Sequence, residues 1–195
     1  MRDALVLVDV QRDFCPGGAL AAPHGDEVVP VLNEWLRERD LLKVATRDWH
    51  PADHCSFKER GGPWPAHCVQ GTPGAEFHPA LDVRRIDLVV SKGTDAAREA
   101  YSGFDAPALM EALRKGRAKR LLIAGLALEY CVKATALDGR KHSFEVFVIQ
   151  EAVRGIEVQR GDVAAAKRQM EAAGIAFVRS DEARGMLRPG ADTAS

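Results

Sequence analysis

RLLIAGLALEYCVKATALDGRKH, residues 120–142, is the stretch from which the fold can be read. Residues 120–125 form a short run, apolar after its arginine and closed by a glycine, which suits a strand buried on both faces. Residues 132–142 then fall into helical spacing. Outward from this unit the same alternation recurs. Short apolar, β-branched runs stand at 4–10, 41–46, 86–91, 144–149 and 175–178. Helical periodicity fills most of the intervals. Residues 28–39 align Val28, Val31, Leu32 and Trp35, and residues 108–115 align Leu109, Met110 and Leu113. Residues 163–173 are rich in the helix formers Ala, Lys, Gln and Glu. Strands that alternate with helices pair in parallel through right-handed crossovers. The expectation is an α/β fold: a doubly wound, six-stranded parallel sheet with helices on both faces.

The chain has 195 residues, 46% hydrophobic and 28% charged, an ordinary globular mixture. One domain over residues 1–180 is expected, with 181–195 a polar, frayed tail carrying Gly185, Pro189 and Gly190. Lys plus Arg number 27 against 28 for Asp plus Glu, a formal charge of -1, so no basic field invites nucleic acid or anionic lipid. No apolar run approaches the ~18 residues of a membrane helix. Met1-Arg2-Asp3 leads straight into a strand-like segment without a signal-peptide layout. The 4 cysteines, at 15, 55, 68 and 131, form no CxxC pair. Reduced thiols in a cytoplasm are therefore expected.

Residues 48–79 fit no regular element. They carry prolines 51, 63, 65, 73 and 79 and histidines 50, 54, 67 and 78. Long loops inside compact domains are usually functional or disordered. Trp49, Phe57 and Trp64 favour an ordered metal or substrate loop.

Ligands of open α/β sheets sit beyond the carboxyl ends of the strands, so the residues after each strand define a search. The first strand leads to Asp9, then Asp13 and Phe14; the second to Asp48, His50 and His54; the third to Lys92; the fourth, past Gly125, to Cys131. Cys131 should open a helix, where the positive end of the dipole lowers a thiol pKa and free N–H groups can hold an oxyanion. Asp9 could take the thiol proton and later return it, with Lys92 adding positive charge. A buried cysteine that merely packs is the bland alternative. Asp48 and His50, two apart, share one face of an extended segment. A third ligand, His54 or His67, would complete a carboxylate and two-histidine set suited to zinc, iron or manganese.

DVQRDFCPGGAL (9–20), TRDWHPADHCSF (46–57), WPAHCVQGTPGAEFHP (64–79), SKGTD (91–95), YSGF (101–104) and GLALEYCV (125–132) resemble the nicotinamidases, pyrazinamidases included, of the isochorismatase-like cysteine hydrolase superfamily. The resemblance runs in order over residues 4–178 and implies a six-stranded parallel sheet. It implies a catalytic triad of Asp9, Lys92 and Cys131, and one divalent metal on Asp48, His50 and His67, with His54 a ligand in some members. It further implies pocket walls at Phe14, Trp64 and Tyr101, oxyanion amides at Ala127 and Cys131, and a cis Leu126–Ala127 peptide. Hydrolysis of nicotinamide to nicotinate and ammonia in NAD salvage, with pyrazinamide a second substrate, is the implied activity. Another small-amide hydrolase is the competing reading, and a metal-binding, redox-sensing module the more distant one. Monomer and homodimer both stay open. Leu128-Glu129-Tyr130 departs from the family's common Thr-Asp-Tyr or Thr-Asp-His, which bears on how Cys131 is tuned.

Overall fold

The computed structural model describes residues 2–187. Six strands, β1 (Arg2–Val8), β2 (Leu41–Asp48), β3 (Leu88–Lys92), β4 (Ala118–Gly125), β5 (Glu145–Val153) and β6 (Ala176–Val178), form one sheet in the order β3-β2-β1-β4-β5-β6. Every pairing is parallel. Five α-helices accompany them: α1 (Val28–Trp35), α2 (Pro107–Lys115), α3 (Lys133–Lys141), α4 (Asp162–Ala172) and α5 (Ser180–Leu187). The strand-and-helix alternation read from the sequence is the one observed.

The period-2 geometry of a strand explains the layering. Leu5 and Leu7 of β1 pack with Val28, Leu32 and Trp35 of α1, while Ala4, Val6 and Val8 pack with Leu109 and Leu113 of α2 and Ala136 of α3. Both faces of β1 are fully buried. Each large aliphatic side chain so buried contributes about 1.5–3 kcal/mol. Strand order reverses between β1 and β4, and such a switch point opens a crevice at the carboxyl edge of the sheet.

Of the boundaries that differ from expectation, two bear on the site and on the chain's end. β1 ends at Val8, because Asp9 turns to a positive φ of 47° and leaves the ladder. The stretch expected to fray from residue 181 is instead α5 as far as Leu187; residues 188–195 lie outside the described residues. Tertiary contacts hold that helix. Ala183 is buried, Trp35 Nε1 donates to Ser180 Oγ at 3.2 Å, and Arg184 stacks on Trp35 while pairing with Glu34 and Glu38.

The proline-rich segment 48–79 is tied down by bridges between His50 and Val69, Phe57 and Trp64, and Gln11 and Phe77. Gln11, fully buried, clamps Asp48 from both sides: Nε2 donates to its carbonyl and Oε1 accepts from its N–H, each at 2.7 Å. Asp13 accepts the N–H of Cys68 at 2.7 Å and so fixes the residue next to His67.

Candidate active site

Three strand ends bring Asp9, Lys92 and Cys131 together at the floor of the crevice. Lys92, the last residue of β3, is buried, and its side chain is fully covered. Its Nζ lies 3.0 Å from Asp9 Oδ2, 3.4 Å from Cys131 Sγ and 3.1 Å from the Ala100 carbonyl, and it donates to Asp48 Oδ1. The other Asp9 oxygen accepts from Thr46 Oγ1 at 2.6 Å. Burial works to lower the Lys92 pKa, but Asp48 and Asp9 outweigh it and hold the amine well above its ordinary value. Burial raises the Asp9 carboxyl, with Lys92 opposing and Asp48 adding to the rise.

Cys131 sits in a π-type turn, Leu128–Val132, that runs directly into α3. The sequence placement anticipated a thiol acidified by the helix end. Burial instead pushes it well above the ordinary thiol value; Lys92 opposes the rise, and Asp9 and Asp48 reinforce it. The loss of water and the nearby carboxylates both favour the neutral thiol. A carboxylate beside the thiol makes proton transfer within the site the route to thiolate. The Leu126–Ala127 peptide just before the turn is cis, as the resemblance implied.

Asp48, His50 and His67 form a second group, all buried, each offering a ligand atom within 4.8 Å of the others. His50 presents Nδ1 to the Gly93 carbonyl at 2.9 Å, and His67 presents Nδ1 to the Pro65 carbonyl at 2.8 Å. A carbonyl can only accept, so both rings carry a proton on Nδ1 and leave Nε2 as the ligand atom. His50 Nε2 lies 3.5 Å from Asp48 Oδ2. Against the effect of burial, Asp48 and the Gly93 carbonyl hold the His50 pKa above the ordinary imidazole value. Burial holds His67 below the ordinary imidazole pKa, in the neutral form a metal needs. Two imidazoles and a carboxylate suit a borderline divalent ion with positions left open. The residues fit such an ion.

His54 does not join this group. Its ring stacks on His50 with centroids 4.1 Å apart, yet Nε2 faces the Arg98 carbonyl at 3.0 Å and Nδ1 faces Ser56 Oγ at 2.8 Å. Both nitrogens are occupied, so His54 is a buttress rather than a ligand here.

A single pocket reaches both groups. Cys131, Ala127, Asp48, His50 and His67 all line it, with Phe14, Trp64 and Tyr101 among the walls. Trp64 Nε1 donates to Tyr101 Oη at 2.9 Å, and Trp64 meets Tyr130 edge-on at 4.9 Å. Leu20, Tyr130 and Ile156 also line the pocket and escaped the sequence reading. Tyr130 adjoins Cys131 in the chain, a usable signal. Leu20 and Ile156 occupy loops whose approach to the site no local pattern announces.

The isochorismatase-domain family model matches residues 3–182. The chain is 40% identical to a nicotinamidase of Escherichia coli, over 88% of this chain and 92% of that one. A zinc complex of the pyrazinamidase of Pyrococcus horikoshii superposes with a TM-score of 0.86 at 50% identity, over 92% of this chain and 99% of that one. PnC1 from L. infantum, in complex with nicotinate, gives a TM-score of 0.87 at 34% identity, over 92% and 93% of the two chains. The family model spans the sheet from β1 into α5, together with every element that carries the site. The chain therefore belongs to the isochorismatase-domain family.

Proposed function

We propose that this protein hydrolyses nicotinamide to nicotinate and ammonia, a step of NAD salvage, with Cys131 as nucleophile. The observation that carries the reading is one pocket lined both by Cys131, which Asp9 and Lys92 back from the floor, and by the carboxylate and two-histidine set of Asp48, His50 and His67. Nicotinamide has the matching halves, a carboxamide and a ring nitrogen. Flat aromatic walls suit the ring between them.

Asp9 takes the proton of Cys131, and the thiolate attacks the carboxamide carbon. Backbone amides of Ala127 and Cys131 receive the oxyanion. Asp9 returns its proton to the nitrogen, the C–N bond breaks, and ammonia leaves a thioester on Cys131. Asp9 then deprotonates a water that attacks the thioester carbon; the C–S bond breaks, nicotinate departs, and the sulfur regains its proton. Lys92 keeps its charge throughout and balances the carboxylates around it. Asp48, His50 and His67 would hold one divalent ion, zinc by similarity to the Pyrococcus protein, with iron or manganese compatible with the same donors. When bound, that ion supplies an electrophilic anchor for the pyridine nitrogen.

Pyrazinamide carries a nitrogen at the equivalent ring position and is a second substrate on this reading. All residues of the site come from one chain, so no second copy is required. No described helix is long and apolar enough to cross a membrane, and all four cysteines are free, which supports a cytoplasmic setting.

Ammonia release tests the reading, measured with nicotinamide, pyrazinamide and a panel of aliphatic amides on metal-analysed protein. Turnover of the two ring amides far above the rest is expected. Preference for an aliphatic amide would overturn it.

A further inference from the structure

Glu129 stands two residues before the nucleophile, within the departure Leu128-Glu129-Tyr130, and is only 4% exposed. Positions two apart on a helical turn face roughly opposite ways, so its carboxylate is directed away from Cys131. It reaches the loop after β5 instead. Oε1 accepts the backbone N–H of Ile156 at 2.8 Å and of Glu157 at 2.6 Å. Oε2 is buried without a partner. The Leu128 N–H adds a third tie, donating to the Arg154 carbonyl at 2.9 Å. The turn that carries the nucleophile is thus stitched to residues 154–157.

Two features of that loop require the clamp. Glu157 has a φ of 54°, in the left-handed region that a non-glycine residue keeps only when its surroundings hold it. Gly155 packs so tightly that a Cβ there would lie 2.6 Å from Glu129 Oε2. Between them stands Ile156, which lines the same pocket as Cys131.

We propose that Glu129 is a positioning residue: by gripping the amides of Ile156 and Glu157 it sets Ile156 as a wall of the pocket and so determines which ring shapes reach Cys131. This deepens the proposed amide hydrolysis and rests on it. A carboxylate serves because one of its oxygens can accept from both N–H groups at once.

Steady-state kinetics and amide hydrogen exchange on the full chain test the proposal. Glu129→Ala should raise KM for nicotinamide about tenfold while kcat stays within about threefold, the pattern of lost binding rather than lost chemistry. Glu129→Gln, which retains an acceptor oxygen, should recover most of that loss. Ile156→Ala should reproduce the KM change, and the double variant should add little, since coupled residues are not additive. Both alanine variants should accept at least one ring-methylated nicotinamide about tenfold better relative to nicotinamide, a methyl's usual worth in a pocket. In Glu129→Ala the Ile156 and Glu157 amides should exchange faster while those of β1 and β4 do not. A fall in kcat at unchanged KM would overturn the proposal, as would Ile156→Ala with wild-type selectivity or unchanged exchange at the two amides. Failure of the wild-type protein to release ammonia from nicotinamide would overturn the substrate reading alone, and the exchange measurement would still decide the clamp.

Discussion

The ammonium of Lys92 donates directly to the carboxylate of Asp48, joining two centres that lie 44 residues apart in the chain. On its other sides the same ammonium meets Asp9 and Cys131. One buried cation therefore bridges a carboxylate of each centre, and the thiol cluster and the histidine pair form a single electrostatic unit.

Removing that cation should be costly in two ways. Lys92→Ala leaves Asp9 and Asp48 buried without their counter-charge, a type of loss worth about 3–5 kcal/mol of stability. Asp9→Asn keeps the shape but cannot accept a proton, and its kcat/KM should fall by roughly 10²–10⁴. Lys92→Ala should lose a comparable factor. Thermal melts and ammonia assays read the two effects separately; wild-type rates in either variant would dissolve the cluster as a functional unit.

Cys131→Ala should abolish turnover while nicotinamide still binds, since little volume is lost from the pocket. Cys131→Ser should be nearly as inactive, because an alcohol is far harder to deprotonate than a thiol buried beside the same base. Mass spectrometry of an acid-quenched reaction should find the acyl adduct on Cys131 and on none of Cys15, Cys55 or Cys68. Adduct at another cysteine would contradict the assignment.

Metal content should divide the histidines. His50→Ala and His67→Ala should lose bound ion, whereas His54→Ala should retain it, since both nitrogens of His54 already have partners. Elemental analysis of the purified variants decides this. Benzamide, which has the carboxamide and ring but no ring nitrogen, should be turned over far more slowly than nicotinamide, by up to roughly 10⁴. Comparable kcat/KM for the two amides would show that the ring nitrogen goes unread.

Gly93 offers a test of the histidine geometry that touches no ligand. Its φ of 64° and its carbonyl bond to His50 Nδ1 place it where an added Cβ would run into the His50 ring. Gly93→Ala should therefore displace His50, lower metal occupancy and raise KM for nicotinamide, with the sheet's melting behaviour much less affected. Full occupancy with wild-type KM would show that the ring has another place to stand.

Strand and helix periods, and the glycine-punctuated ends of apolar runs, are local properties, and they were legible in the chain as written. They place Asp9, Lys92 and Cys131 at the ends of the first, third and fourth strands, and parallel crossovers then oblige those ends to share one edge. Asp48 and His50 were legible for the same reason, being two apart on an extended segment. Residue spacing alone could not choose between His54 and His67, because the choice depends on which ring nitrogens other groups occupy. The Arg98 carbonyl and Ser56 hydroxyl claim those of His54, and Arg98 is 44 residues away.

The remaining differences have the same origin. A helix end predicts an acidified thiol at Cys131, but burial and the carboxylates that other strands bring up push it the other way. Polar residues after 180 predict fraying, but Trp35, Glu34 and Glu38 of the α1 region hold α5 in place. Glu129 reads in sequence as a departure beside the nucleophile; in three dimensions it grips a loop 27 residues further on. Short-range sterics and hydrophobic period determine which elements form and in what order. Desolvation, charge pairing and hydrogen-bond occupancy depend on neighbours that only the folded chain assembles, and those decide which of the candidate side chains face the pocket and in what state.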